Sequence, residues 1–208
     1  MTRTPFERDR IISFIDAVFS IAMTLLVLEV AIPTYEAVTE KGTWGILAGL
    51  IPNFIGLLVS FLVTAVYWIA HLRIMSYVVD FDKKLLWLNI FLLLFVVLMP
   101  FSTSFYVNGF DLLGPFVFYS FNLAAIGLFN YLIVRYVVKK EIATQGIDPI
   151  TGQWESWRAF NSFGVWAIAA ILGFFFPWIA RFFFIAIFIF QAIINAHFKK
   201  KMSITVSS

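Results

Sequence analysis

Apolar residues in this chain fall into long runs broken by short polar stretches, and their spacing within the runs is helical rather than alternating. The first run, RIISFIDAVFSIAMTLLVLEVAIP, predicts a helix over residues 11–32. It stops at Pro33, whose ring lacks a backbone donor. Polar residues 34–43 read as a short loop. A second run over 44–70 predicts a helix bent at Pro52 and Gly56. Residues 71–83, HLRIMSYVVDFDK, form a mixed connection. A third helix is expected over 85–106, kinked at Pro100, then a turn over 107–112 and a fourth helix over 113–138. Residues 139–157 read as the longest polar loop, with a DPITG turn signal. From 159 to 198 the chain is almost continuously apolar, too long for one crossing, and Pro177 divides it into two. The pattern predicts an all-α, polytopic membrane protein: one six-helix transmembrane domain over residues 1–208.

The first helix has a finer pattern. At about 100° per residue, Phe14, Ala17, Ile21, Thr24 and Leu28 share one stripe, with Leu25 beside it. The three-and-four alternation is that of a helix-packing seam. Asp16 points elsewhere, roughly 140° from Ile21. The stripe serves either ordinary packing within one subunit or a pore wall made of identical stripes from several subunits. A carboxylate at the centre of a lipid-facing helix costs about 2.5–3.5 kcal/mol, so Asp16 needs a protein-facing environment.

Composition sharpens the class. The chain is 62% hydrophobic and 13% charged, where soluble domains average about 25% charged. There is no cysteine, which excludes disulfides and thiolate metal sites. The net charge of +3 is not a nucleic-acid signal, because the basic residues sit at the ends of apolar runs. Arg3, Arg8, Arg10, Arg73, Lys83, Lys84, Arg135, Lys139, Lys140, Arg158, Lys199, Lys200 and Lys201 gather on the side that holds both termini. The other side has Lys41 and Arg181. The positive-inside rule then expects both termini in the cytoplasm and a multi-pass protein of the cell membrane. The first run is too long for a cleaved leader and carries Asp16, so it reads as a retained helix.

Candidate chemistry is sparse. Trp68 and His71 end the second helix, and Asn89 begins the third, at the depth of Asp16. Indole, imidazole and amide groups all hydrogen-bond carboxylates. Each is also an ordinary helix-end residue, and Arg10 reads equally as a membrane anchor. Glu29 is either a mouth charge that concentrates cations or a solvated interfacial acid. Asn122, Asn130, Asn161, Gln191 and Asn195 are expected to bond between helices. Asp80 and Asp82 read as a solvated loop, and Arg181 as snorkelling to the outer interface. No HExxH, GxSxG or paired catalytic acids occur, so an enzyme is not expected and no cofactor is called for.

Arg10-Ile-Ile-Ser-Phe14-Ile15-Asp16 resembles the RxxxFSD signature of the transmembrane protein 175 family, the lysosomal potassium channels and their single-repeat prokaryotic relatives. Tyr67-Trp68-Ile69-Ala70-His71, Leu88-Asn89 and Met99-Pro100-Phe101-Ser102-Thr103 are similar to its second and third helices. The likeness covers most of the first half; Ile15 stands where the signature has Ser. The resemblance implies a homotetramer in the lipid bilayer whose first helices surround a cation pore without a TVGYG filter. Ile21, Leu25 and Leu28 would be apolar constrictions. Thr24 would be a polar ring where a permeating potassium ion, or another monovalent cation, is transiently held. Arg10, Phe14, Asp16, Trp68, His71 and Asn89 would form a buried network that orients the first helix. The rival class is a proton-coupled or small-solute transporter using Asp16 and His71.

Overall fold

The computed structural model describes residues 7–144, 146–183 and 185–206, nearly all of them helical. Arg3 and the side chain of Lys200, counted above among the basic residues, lie outside the described part. Helix α1, Arg8–Leu25, tightens into a 3-10 turn over Leu26–Glu29. Val30 is extended (φ −81°, ψ 114°), so the helix stops short of the expected residue 32. Such tightening is usual where a helix runs out of partners for its last carbonyls.

The expected loop over 34–43 is helical. α2 spans Tyr35–Gly49, started by Thr34, whose side chain accepts the Ala37 N–H at 3.3 Å. Gly42 turns the chain inside it at φ 68°, a conformation that favours glycine. Pro52 lies in the first turn of α3, Ile51–Met75, where its missing N–H costs nothing; it opens this helix instead of bending it. Pro100 likewise opens α5, Met99–Asn108, after α4, Lys83–Val97.

Helices take up most of the expected loop over 139–157. α6 runs over Leu113–Ala143 and α7 over Pro149–Gly173. Asp148 explains the early start of α7: its carboxylate accepts the Thr151 N–H at 3.0 Å, with Pro149 at the first helical position. Pro177 opens a short helix α8, Pro177–Phe182, which leads to α9, Ile185–Val206.

α6 is the inner helix. It packs against α4, α5 and most extensively α7. Gly127 permits that approach, since a Cβ there would lie 2.8 Å from the Phe163 Cα. Gly173 does the same against the Phe116 ring at 2.8 Å. Small residues at helix contacts are how membrane helices gain close packing in a solvent as apolar as their own side chains. A hydroxyl knot ties α3, α5 and α6 together. Thr103 donates to Ser60 at 2.9 Å, Ser60 and the Tyr119 hydroxyl are 3.1 Å apart, and Asn122 donates to Ser102 at 3.2 Å. Asn161 donates to the Ile187 carbonyl at 3.1 Å, and Asn195 accepts from Trp154 at 2.9 Å. Asn130 Oδ1 and Gln191 Nε2 are buried with no partner, against the expectation that both bond between helices.

One charged residue differs from expectation. Asp82 is no free loop acid: it caps α4 by accepting the Leu85 N–H at 2.9 Å, accepts the Tyr136 hydroxyl at 2.5 Å, and pairs with Lys140 at 3.3 Å. Arg181 is clasped by aromatic rings, 4.4 Å from the Phe110 centroid and 4.8 Å from that of Trp178, and donates to the Phe110 carbonyl. Among the described residues, four helical stretches are long and apolar enough to cross a membrane: Arg8–Glu29, Tyr35–Met75, Lys83–Asn108 and Leu113–Ala143.

Candidate functional site

α1 positions the site. Nothing between Arg8 and Leu25 breaks a helix, and its buried residues Ile15, Phe19 and Ala22 recur at four and three. Leu26 extends that line, and all four are at most 2% exposed. This face packs on α3, α4 and α5. Ile15, which departs from the family signature, therefore lies in the core of the subunit.

The opposite face is bare. Phe14, Ala17, Ile21, Thr24, Leu25 and Leu28 are all exposed in the single subunit, Ile21 by 57% and Leu28 by 73%. Thr24 sits at the edge of the stripe, where a cleft of about 510 Å³ opens between α1 and α3. Its hydroxyl donates to the Ile21 carbonyl at 2.9 Å, as Ser20 does to the Asp16 carbonyl at 2.8 Å. Each hydroxyl thus has its hydrogen satisfied within α1, and its remaining acceptor capacity is free.

Between the two faces lies Asp16, half-buried. Its Oδ1 accepts the Trp68 indole N–H at 2.9 Å, which fixes α1 to α3. One turn further along α3, His71 Nε2 lies 2.7 Å from Asn89 Oδ1, and the Asn89 amide donates to the Leu85 carbonyl at 2.8 Å. The Phe19 ring covers the imidazole, with centroids 6.0 Å apart. So two adjacent pairs hold α1, α3 and α4 in register, and Asp16 and His71 have different partners. Arg10 is not brought to them: it reaches Glu7 at 3.8 Å, largely exposed. Phe14 is 61% exposed on the bare stripe. Arg8, which sequence reasoning counted only among the basic residues at the ends of runs, donates to the Met75 carbonyl at 3.1 Å and ties the start of α1 to the end of α3. A terminal arginine has no sequence signal for such a backbone contact. Among the described residues no three His, Asp or Glu side chains group as metal ligands would.

A family model described as "Endosomal/lysosomal potassium channel TMEM175" matches residues 10–100. A protein of Streptomyces collinus named as a potassium channel is 37% identical over 98 residues, 47% of this chain and 47% of its own length. One from Chamaesiphon minutus, also named a potassium channel, is 40% identical over 98 residues, 47% of this chain and 48% of its own. The matched stretch thus spans about half the length of these curated relatives. The crystal structure of a lysosomal potassium-selective channel TMEM175 homolog from Chamaesiphon minutus superposes with a TM-score of 0.76 at 25% identity. That superposition covers 92% of this chain and 98% of the other. The family is one of ion channels, not of enzymes.

Proposed function

We propose that this chain, a relative of the transmembrane protein 175 family and a multi-pass membrane protein, is a potassium-permeable cation channel. It works as a homotetramer, with the bare stripe of α1 from each subunit facing a common axis. The observation that carries the proposal is the division of α1 into a fully buried line and an exposed line of Ile21, Thr24, Leu25 and Leu28. One helix cannot enclose a pore, whereas a closed ring of identical stripes can.

In that ring four Ile21 side chains form an apolar collar that offers nothing to replace an ion's hydration water. Leu25 and Leu28 add further collars outward. The collar closes by dewetting. Thr24 presents hydroxyl oxygens with free lone pairs beside it, so partial coordination of a dehydrating potassium ion falls there. The Asp16–Trp68 and His71–Asn89 pairs act indirectly, by holding the angle of α1. Potassium is the permeant ion, and no cofactor enters.

The chain forms a single six-crossing domain over residues 1–208, with both termini cytoplasmic and the protein in the cell membrane. The fifth and sixth crossings are the apolar part of α7 and the region of α8 and α9. The apolar part of α9, Ile185–Lys199, is short for a core of about 30 Å. The aromatic turn before Pro177 and α8 completes the crossing.

The test is a planar-bilayer recording of purified protein with potassium on one side and sodium on the other. Unitary currents reversing toward the potassium equilibrium potential are expected. Slow saturable flux without unitary steps would make the protein a transporter instead. Native mass spectrometry in detergent is expected to give a tetramer; a stable monomer or dimer refutes the ring.

A further inference from the structure

Conduction along α1 makes no use of the groove between α4, α6 and α7. This groove has a volume of about 850 Å³ and lies at the end of the bundle where α6 finishes and α7 begins. Lys84, from the first turn of α4, lines it together with Arg135 and Lys139 from the last turns of α6. Tyr131, Trp157 and Phe160 form its aromatic wall. No aspartate or glutamate lines it.

The three cations have no carboxylate partner among the described residues. Lys84 Nζ lies over the Tyr136 ring, 4.9 Å from its centroid. Arg135 donates to the Tyr131 hydroxyl at 3.1 Å and lies 5.8 Å from that ring's centroid. Lys139 is exposed. The neighbouring Lys140 is the contrast: it turns to the other side and is neutralised by Asp82 at 3.3 Å. A groove lined by three like charges and no acid attracts an anion.

Its position selects the kind of anion. α4 with α5, and α6, are long and apolar enough to cross a bilayer, so their shared charged end lies at headgroup level. Trp157 and Phe160 are 54% and 45% exposed there, as interfacial aromatics are. A basic mouth above an apolar, aromatic wall between crossing helices has the chemistry that takes an acidic headgroup and its acyl chain. We propose that this groove binds an anionic phospholipid, with its phosphate on Lys84, Arg135 and Lys139 and its upper acyl carbons against Trp157 and Phe160.

The test titrates the purified full chain in detergent with brominated phosphatidylglycerol and, separately, brominated phosphatidylcholine, reading tryptophan quenching. Phosphatidylglycerol is expected to quench saturably at the lower lipid fraction, and Trp157→Phe to remove most of that saturable component. Combined Lys84→Gln, Arg135→Gln and Lys139→Gln is expected to weaken the phosphatidylglycerol titration by about fivefold per cation removed. Phosphatidylcholine quenching should not change, and Lys41→Gln at the opposite end should change neither titration. Lys139→Gln alone, on an exposed side chain, carries the test if the triple variant does not fold. Equal titrations of the two lipids, or full saturable quenching retained in Trp157→Phe, would overturn the proposal. So would inorganic phosphate that binds the groove and reverses the quenching, since the site would then be one for free phosphate.

Discussion

α1 and α6 are both long apolar helices with polar residues inside them, yet the subunit treats them oppositely. In α6, 61% of the most apolar stretch is buried, against 22% in α1 with its 3-10 turn. The small polar side chains of α6, at Ser120, Asn122 and Asn130, face the interior. Those of α1, at Ser13, Ser20 and Thr24, face out. α6 is complete within one chain, while α1 has a second face that one chain does not cover. Apolar exposure alone is no argument in a bilayer, because lipid covers it at no cost. What sets α1 apart is the combination: a regular stripe, outward hydroxyl oxygens, and an acid held between the two faces by its own donor.

The largest effect is expected where the two helices differ most in role. Ile21→Asn keeps the size of the side chain and makes it polar, so the collar wets and unitary conductance rises several-fold. Thr24→Ala is expected to keep current while lowering the preference for potassium over sodium. Ser20→Ala, about 100° from Ile21, should change neither. Bi-ionic reversal potentials and unitary currents read all three.

On α6 the sensitive quantity is assembly, not permeation. Gly127→Ala drives a methyl against the Phe163 backbone, where a Cβ has only 2.8 Å. Overpacking of this kind costs about 1–3 kcal/mol. A lower thermal midpoint with unchanged selectivity is expected, and altered selectivity would mean that α6 reaches the pore.

The hinge between the regions comes next. Trp68→Phe leaves Asp16 without its indole donor, and Asn89→Ala leaves His71 without its amide. Losing the partner of buried His71 costs about 1–3 kcal/mol, and losing that of half-buried Asp16 costs less. Both variants should lower the midpoint and the yield of tetramer while leaving ion preference intact. Changed preference at wild-type stability would place these residues on the conduction path.

The smallest effect is expected at Asp82, where α4 meets α6. Burial opposes the charged form of this carboxyl, but the Tyr136 hydroxyl, the Leu85 N–H and Lys140 outweigh it and hold its pKa below the usual carboxylate value. Its folded pKa is thus below its unfolded one. The stabilisation is fully present above the unfolded value and is lost as pH falls through the lowered folded value. Asp82→Ala should cost about 1 kcal/mol, the worth of a helix cap, and flatten the acid limb of the stability profile below about pH 4. Thermal melts of the two proteins from neutral pH downward check it. An unchanged acid limb would mean that Asp82 does not couple α4 to α6.

Much of this division is legible in the sequence. Helical periodicity separates the line of Ile21, Thr24 and Leu28 from Asp16, and depth along the runs puts Trp68, His71 and Asn89 at one level. What periodicity does not reveal is which nearby polar group each residue takes. Exposed Arg10 meets Glu7, and half-buried Arg8 meets a backbone carbonyl, because a long guanidinium side chain at a helix start has several acceptors within reach. The hydroxyl knot of Ser60, Thr103 and Tyr119 is also illegible, since its members stand alone in three apolar runs and only packing unites them. Thr34 and Asp148 start helices inside stretches that polarity marks as loops. Their side chains cap backbone N–H groups, and a cap outweighs a few polar residues.

In the proposed channel the bare stripe of α1, and not its buried line, faces the ion path. The chain has no cysteine, so single cysteines can be introduced without background. Ile21→Cys, Thr24→Cys and Leu28→Cys would be exposed to a charged, water-soluble thiol reagent during bilayer recording, beside Phe19→Cys and Ala22→Cys. Current through the first three is expected to change within seconds of reagent addition, while the last two conduct unaltered. Modification at residues 19 or 22, with positions 21, 24 and 28 unaffected, would contradict it.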